Sequence, residues 1–300
     1  MNIAATTPGS PAPARWPKPF QAALAVTVLA FAWPLFQLGA FAGSSELYSY
    51  ILLVPAISVF LVWWQRDFLP SGSEPSRAWA AVPALVGCGL LTAFVLATEG
   101  AMPTEERLAL AALAFASFIV ADCMFFLDRR LVAALMFPLG FLVFMAPMPG
   151  PLADAVELFL QRGSAATADA FFSVAGTPVY YQDLVFRLPG INLRVAPECS
   201  GIHSSLVLLM VSLVAGYLFL RSPWRRTLLA VAMVPLALLR NGFRVFVIGE
   251  LCVHISPDMI NSFIHRRGGP IFFALSLVPF FGLLYWLARS ERRPARTPPR

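Results

Sequence analysis

Val195-Ala196-Pro197-Glu198-Cys199-Ser200-Gly201-Ile202-His203-Ser204-Ser205 runs without a break into an apolar stretch from Leu206 to Leu220. A polar segment with strand-like alternation precedes it, so Cys199 stands where water meets lipid, at the mouth of a helix. Pro197 and Gly201 flank the cysteine, as suits a tight turn into that helix. The first turn leaves backbone N–H groups unpaired. Those donors and the helix dipole favour a thiolate, the reactive form of the side chain. A membrane cysteine by itself is ordinarily a small hydrophobe, so the reading turns on what shares its level.

Composition sets the broad class. Hydrophobic residues make up 58% of the 300 residues and only 13% are charged. Mean hydropathy is +0.72, far too apolar for an ordinary soluble domain. The net charge of +6 comes from arginines in short loops between apolar runs and in the tail Arg289 to Arg300. That distribution reports topology and excludes a nucleic-acid-binding face. The four cysteines, Cys88, Cys123, Cys199 and Cys252, form no CxxC pair, so neither zinc nor haem is implied. No metal or organic cofactor is expected. Cys88 and Cys123 read as packing residues, while a Cys199–Cys252 disulfide is compatible with the sequence but would consume the thiol.

The fold expected is an all-α polytopic membrane protein. Residues 1–19 form a disordered cytoplasmic N-terminus, 20–288 a single multi-span membrane domain with an outer insert at 148–200, and 289–300 a basic cytoplasmic tail. Eight apolar runs approach the ~20 residues needed to cross a bilayer: 20–41, 47–64, 79–97, 107–127, 131–147, 201–220, 227–251 and 269–288. The first is too long for a signal-peptide core. Pro34, Pro55 and Pro83 are expected to kink their spans. With both termini inside, the inner segments hold fourteen Lys and Arg against six in the outer ones, as the positive-inside rule requires.

The insert opens with Pro149-Gly150-Pro151. A helical pattern then runs from Leu152 to Val174 with Asp154, Glu157, Gln161 and Asp169 on its polar side, as for an amphipathic helix on the outer interface. Two strand-like pieces follow, Val179 to Leu188 and Ile191 to Val195, split by Leu188-Pro189-Gly190. This small hairpin would deliver Cys199 to the bilayer surface.

Span seven contains Arg240-Asn241-Gly242-Phe243-Arg244. Two arginines four apart share a helix face, and each costs about 2.5–3.5 kcal/mol within a span. Snorkelling, or pairing with Glu198, Glu250 or Asp258, would be the structural account. His265 lies at the outer mouth of span eight, level with Cys199, and its neutral pKa makes it the natural base. His203 and His254 are alternatives, although His203 is four residues from Cys199 on the same helix. A thiolate, an imidazole and a guanidinium make a working set for acyl transfer. A transporter or channel binding an anionic solute would also use intramembrane arginines, but it has no need of Cys199 or His265; a structural assembly factor needs neither.

Glu198-Cys199-Ser200-Gly201, then Arg240-Asn241-Gly242-Phe243-Arg244, then His265 with Gly268-Gly269 resemble, in this order, the exosortase/archaeosortase family of membrane-embedded cysteine transpeptidases. The resemblance covers about residues 45 to 288. It implies Cys199 as nucleophile, Arg244 as catalytic arginine and His265 as the third member. Arg240 matches the arginine before asparagine in archaeal relatives, so either arginine qualifies as primary. It also implies partners: exported proteins ending in a short motif (often Pro-Glu-Pro), a transmembrane helix and a basic tail. Their new C-terminus would pass to a lipid or other surface acceptor, at the outer face of the cell (inner) membrane.

Overall fold

In the computed structural model the described residues are 16–69, 77–97, 102–196, 200–264 and 268–291. They form two compact units, Met1–Gly150 and Pro151–Arg300. The division at the start of the insert was not visible in the hydropathy pattern, which reads as continuous spans on both sides.

Proline shapes the first unit. Helices α1 (Lys18–Ala30) and α2 (Ala32–Ser44) meet at Phe31 with a bend of 59°. Pro34 explains it: it has no N–H to donate, and its ring clashes with the carbonyl four residues back, at Ala30. The expected kinked span 20–41 is therefore two helices. Pro55 acts differently. A 3₁₀ turn (Ser49–Leu53) leads into α3 (Val54–Gln65), and Pro55 occupies its first turn, where no N–H is needed. It starts a helix and kinks none. Helix α4 (Arg77–Leu96) packs along α5 (Thr104–Phe126). Helix α6 (Arg129–Phe141) is capped by Asp128, whose Oδ1 accepts from Leu131 N at 2.8 Å, and a 3₁₀ turn (Leu142–Met145) extends it. Phe20, Cys123, Leu127, Leu131, Val132 and Leu135 join α1, α5 and α6 in one buried cluster. Thr27 Oγ1 donates to Asp122 Oδ2 at 2.7 Å and ties α1 to α5.

The second unit carries the insert and the last three helices. The expected helix is present as α7 (Gly150–Ala175), with Ser164, Ala165, Ala168 and Phe172 wholly buried. The expected hairpin is corrected to a three-stranded antiparallel meander: β1 (Tyr180–Gln182), β2 (Val185–Leu188) and β3 (Ile191–Arg194). Gln182 faces Val185 across a two-residue turn, Asp183-Leu184, in which both residues have positive φ (50° and 64°). Such turns match the twist of a hairpin. Phe186, Leu188, Leu193 and Val195 point inward against Phe172 of α7 and Val245 and Ile248 of α9 (Pro223–His254). Tyr181 stacks on Phe186 at 4.7 Å; burial, then Asp169, pushes its phenol up.

Helices α8 (Ile202–Phe219), α9 (Pro223–His254) and α10 (Gly269–Glu291) pack through Leu208, Leu229, Met233, Phe280 and Leu287. At one end Glu291 accepts from the backbone N–H of Arg221 and Ser222, both at 2.9 Å, and pairs with Arg225 at 3.4 Å. Five helices, α4, α5, α8, α9 and α10, are long and apolar enough to cross a membrane alone. Counting α1 with α2, and α6 with α7, as single spans raises the number to at most seven, and Ser49–Gln65 is a shorter apolar helix. By length and composition alone, five to seven of the eight expected spans are met among the described residues, and a 3₁₀ turn forms part of each of the runs near 47–64 and 131–147.

Candidate active site

Helices α7 and α9 approach closely because their facing residues are small. A Cβ on Gly242 would lie 2.6 Å from Thr167 Cβ and 2.9 Å from the Ser164 carbonyl, so only glycine fits. Small residues serve membrane helices this way, letting backbones meet. The contact sets the rotation of α9, and with it the placement of Arg240 and Asn241, which are 8% and 3% exposed.

Asn241 is fully engaged. Its Nδ2 donates to Ser164 Oγ at 3.0 Å and to the Ser200 carbonyl at 3.2 Å. One amide therefore ties α7, α9 and the residue that follows Cys199. Arg240 Nη2 donates to the Gly201 carbonyl and to Ser205 Oγ, both at 3.4 Å. Gly201 is in the left-handed region (φ 71°), and a Cβ there would sit 3.0 Å from both Arg240 Nη2 and Asn241 Oδ1. Backbone freedom and contact space both demand glycine at this turn. Helix α8 begins at the next residue, and its first amide, Ile202 N, donates to Ser200 Oγ at 3.4 Å.

Cys199 and His265 lie outside the described residues, as does Glu198. Their neighbours do not. Ser200, beside Cys199, is 1% exposed and is held by Asn241. On the far side of His265, Gly268 N donates to the Ile264 carbonyl at 3.1 Å as the chain turns into α10. The structure brings Arg240 to the Ser200–Gly201 segment. Arg244, half-buried one turn along α9, lines a cavity of about 20 Å³ with Arg194, Val195 and Asn241, room for about one water molecule.

Arg240 Nη1 has no hydrogen-bond acceptor among the described residues. A buried guanidinium keeps five donors in a rigid fork, so an unused one is a place for a carbonyl or carboxylate oxygen. Glu250, considered above as an arginine partner, instead accepts from Thr177 Oγ1 at 2.5 Å and contacts His254 Nε2 at 3.0 Å. Among the described residues no cluster of three or more His, Cys, Asp or Glu is arranged to hold a metal ion. Sequence reasoning gave Asn241 no role and passed over Ser164 altogether. The signal was there: a mid-span Asn beside an Arg, and the small-residue run Gly163, Ser164, Thr167 on the facing helix.

A family model described as transmembrane exosortase matches residues 40–282. The chain belongs to the exosortase family. Exosortases are membrane proteins, in general cysteine transpeptidases or proteases that act on exported substrates bearing sorting signals. The matched range takes in Ser164, Ser200, Gly201, Arg240 and Asn241, so the bonded set lies inside the exosortase segment. No curated protein and no solved structure matches the chain.

Proposed function

We propose that this exosortase cleaves C-terminal sorting signals of exported proteins at the outer face of the inner membrane and transfers them to a surface or lipid acceptor. Cys199 is the nucleophile. Its thiolate attacks the scissile carbonyl, the tetrahedral oxyanion collapses with loss of the amine, and an acyl-enzyme remains. His265 gives a proton to the leaving amine and later takes one from the acceptor nucleophile. Arg244 stabilises the oxyanion or orients a substrate carboxylate, and Arg240 holds the Ser200–Gly201 turn behind the thiol. The chain crosses the membrane eight times with both termini inside.

The observation that carries this reading is the clamp on the residues next to Cys199: Arg240 and Asn241 fix the two carbonyls that follow it. A nucleophile must be held in place if attack is to be efficient. The test is mass spectrometry of a candidate substrate's C-terminus in cells with the wild-type protein, with Cys199→Ala and without the protein. Cys199→Ala is expected to reach the membrane at normal level and to leave the substrate unprocessed, while Cys88→Ala and Cys123→Ala process normally. Substantial processing by Cys199→Ala would sink the transpeptidase mechanism and favour anion binding by the arginines.

A further inference from the structure

The first unit contains a groove of about 900 Å³, bounded by α1, α2, α3, α5 and α6, and none of the proposed catalytic residues belongs to that unit. On α3 its wall is Pro55, Ser58, Val59, Val62 and Trp63, with Arg66 just beyond. That spacing of three and four residues is one continuous helix face. A transmembrane helix is about 10–12 Å across with its side chains. An acyl chain is slimmer and fits.

Two observations make this more than a lipid-facing crevice. Ser58 is 6% exposed, and its Oγ has no hydrogen-bond partner among the described residues. Other hydroxyls of the unit bond back to the carbonyl one turn earlier, as Thr92 does to Cys88 and Ser117 to Leu113, both at 2.8 Å. Ser58 does not, so its hydroxyl is available to an acceptor in the groove. The second observation is charge. The cluster joining Phe20, Leu127 and Leu131 brings the starts of α1 and α6 and the end of α5 to one end of the unit, with Val62 and Leu69 packed against it. Lys18, Arg66, Arg129 and Arg130 belong to those segment ends, and Arg66 opens onto the groove itself.

Arg66 leans over the Trp63 ring, with Cζ 5.1 Å from its centroid. Asp67 is 3.6 Å from Arg66 Nε, but both side chains are more than half exposed, so that pair neutralises little. Asp128 already caps α6. Among the described residues this end is net positive, with a tryptophan beside the cation, the pairing typical of a membrane–water interface.

We propose that this groove holds one anionic phospholipid. Its phosphate lies at Arg66, an ester carbonyl accepts from Ser58 Oγ, and an acyl chain runs along the Pro55–Val62 face. The site is separate from the chemistry proposed above and stands whether or not that reading holds. Gly39 lines the groove, and a Cβ there would meet only Leu52 Cδ2, at 4.0 Å, so a larger residue would fill the space without straining the backbone.

The test is native mass spectrometry of the full chain released from nanodiscs of equal phosphatidylglycerol and phosphatidylcholine. The wild type is expected to retain one lipid, with phosphatidylglycerol favoured about fivefold, the effect of one arginine near a membrane surface. Arg66→Gln should keep the lipid and lose the preference. Gly39→Leu should lose the lipid. Equal retention of the two lipids by the wild type overturns the proposal, whatever the variants do. So does a photo-cross-linker at Val59 that captures a polypeptide in place of a lipid in native membranes.

Discussion

Arg240 and Arg244 are one turn apart on α9 and have different surroundings. Arg240 grips the Gly201 carbonyl and Ser205, whereas Arg244 looks onto the small cavity beside Val195. The geometry separates the two by kind of effect. A lysine cannot reproduce a planar fork, so Arg240→Lys should slow both processing and alkylation of Cys199 by iodoacetamide, because the turn behind the thiol loosens. Arg244→Lys should cut processing by about 10²–10³, the usual cost of an oxyanion donor, with alkylation unchanged. Time courses of both reactions, normalised to enzyme in the membrane, decide it. The reverse pattern would move the oxyanion role to Arg240. Asn241→Asp keeps the shape but replaces both donors with an oxygen facing the Ser200 carbonyl. It should destabilise the protein by about 1–3 kcal/mol, the cost of unsatisfied buried partners, seen as a lower melting temperature in detergent.

At the scale of the element, the seam between α7 and α9 is governed by size. Gly242→Val would drive a branched side chain into Thr167 and the Ser164 carbonyl. Overpacking of this kind costs about 1–3 kcal/mol and here would also rotate Arg240 and Asn241 away from the turn. Loss of melting temperature together with loss of processing is expected; normal values for both would show that the seam is looser than its distances imply. Apolar length was enough to read most of the helices from the sequence, since burial in lipid needs little else. Breaks were harder. Pro34 announced an irregularity but not a second helix. Asp183-Leu184 gave no warning, because a leucine in the left-handed region is tolerated only where tertiary packing holds it there, and no Gly or Asn marks the turn. Asn241 stood out as a polar residue in mid-span, but its partners Ser164 and Ser200 lie 77 and 41 residues away, and no local pattern encodes such distances.

On the scale of the whole molecule, the arrangement of charge makes the orientation testable. With both termini inside, a cysteine placed at Arg187 should react with a membrane-impermeant maleimide in intact cells, and one placed at Arg225 should not. Labelling at 225 and protection at 187 would invert the proposed topology and place the chemistry on the cytoplasmic side. The membrane class, the family and the long helix of the insert were all readable before any coordinates. The division into two units was not, since it falls at Gly150, inside runs that look uniform in hydropathy.

Glu291 gives the second unit a mechanical coupling. By binding the Arg221 and Ser222 amides and the Arg225 side chain, it rivets the α8–α9 corner to the last turn of α10. At the other end of α8, Arg240 and Asn241 of α9 hold the Gly201 and Ser200 carbonyls, so that helix is pinned to α9 a second time. A rod pinned at both ends passes a tilt at one pin to the other, and here the second pin is the Ser200–Gly201 turn. Glu291→Gln should therefore be felt far from the substitution, as faster hydrogen exchange in the first turn of α8, with the pinned corner itself changing little beyond its two lost contacts.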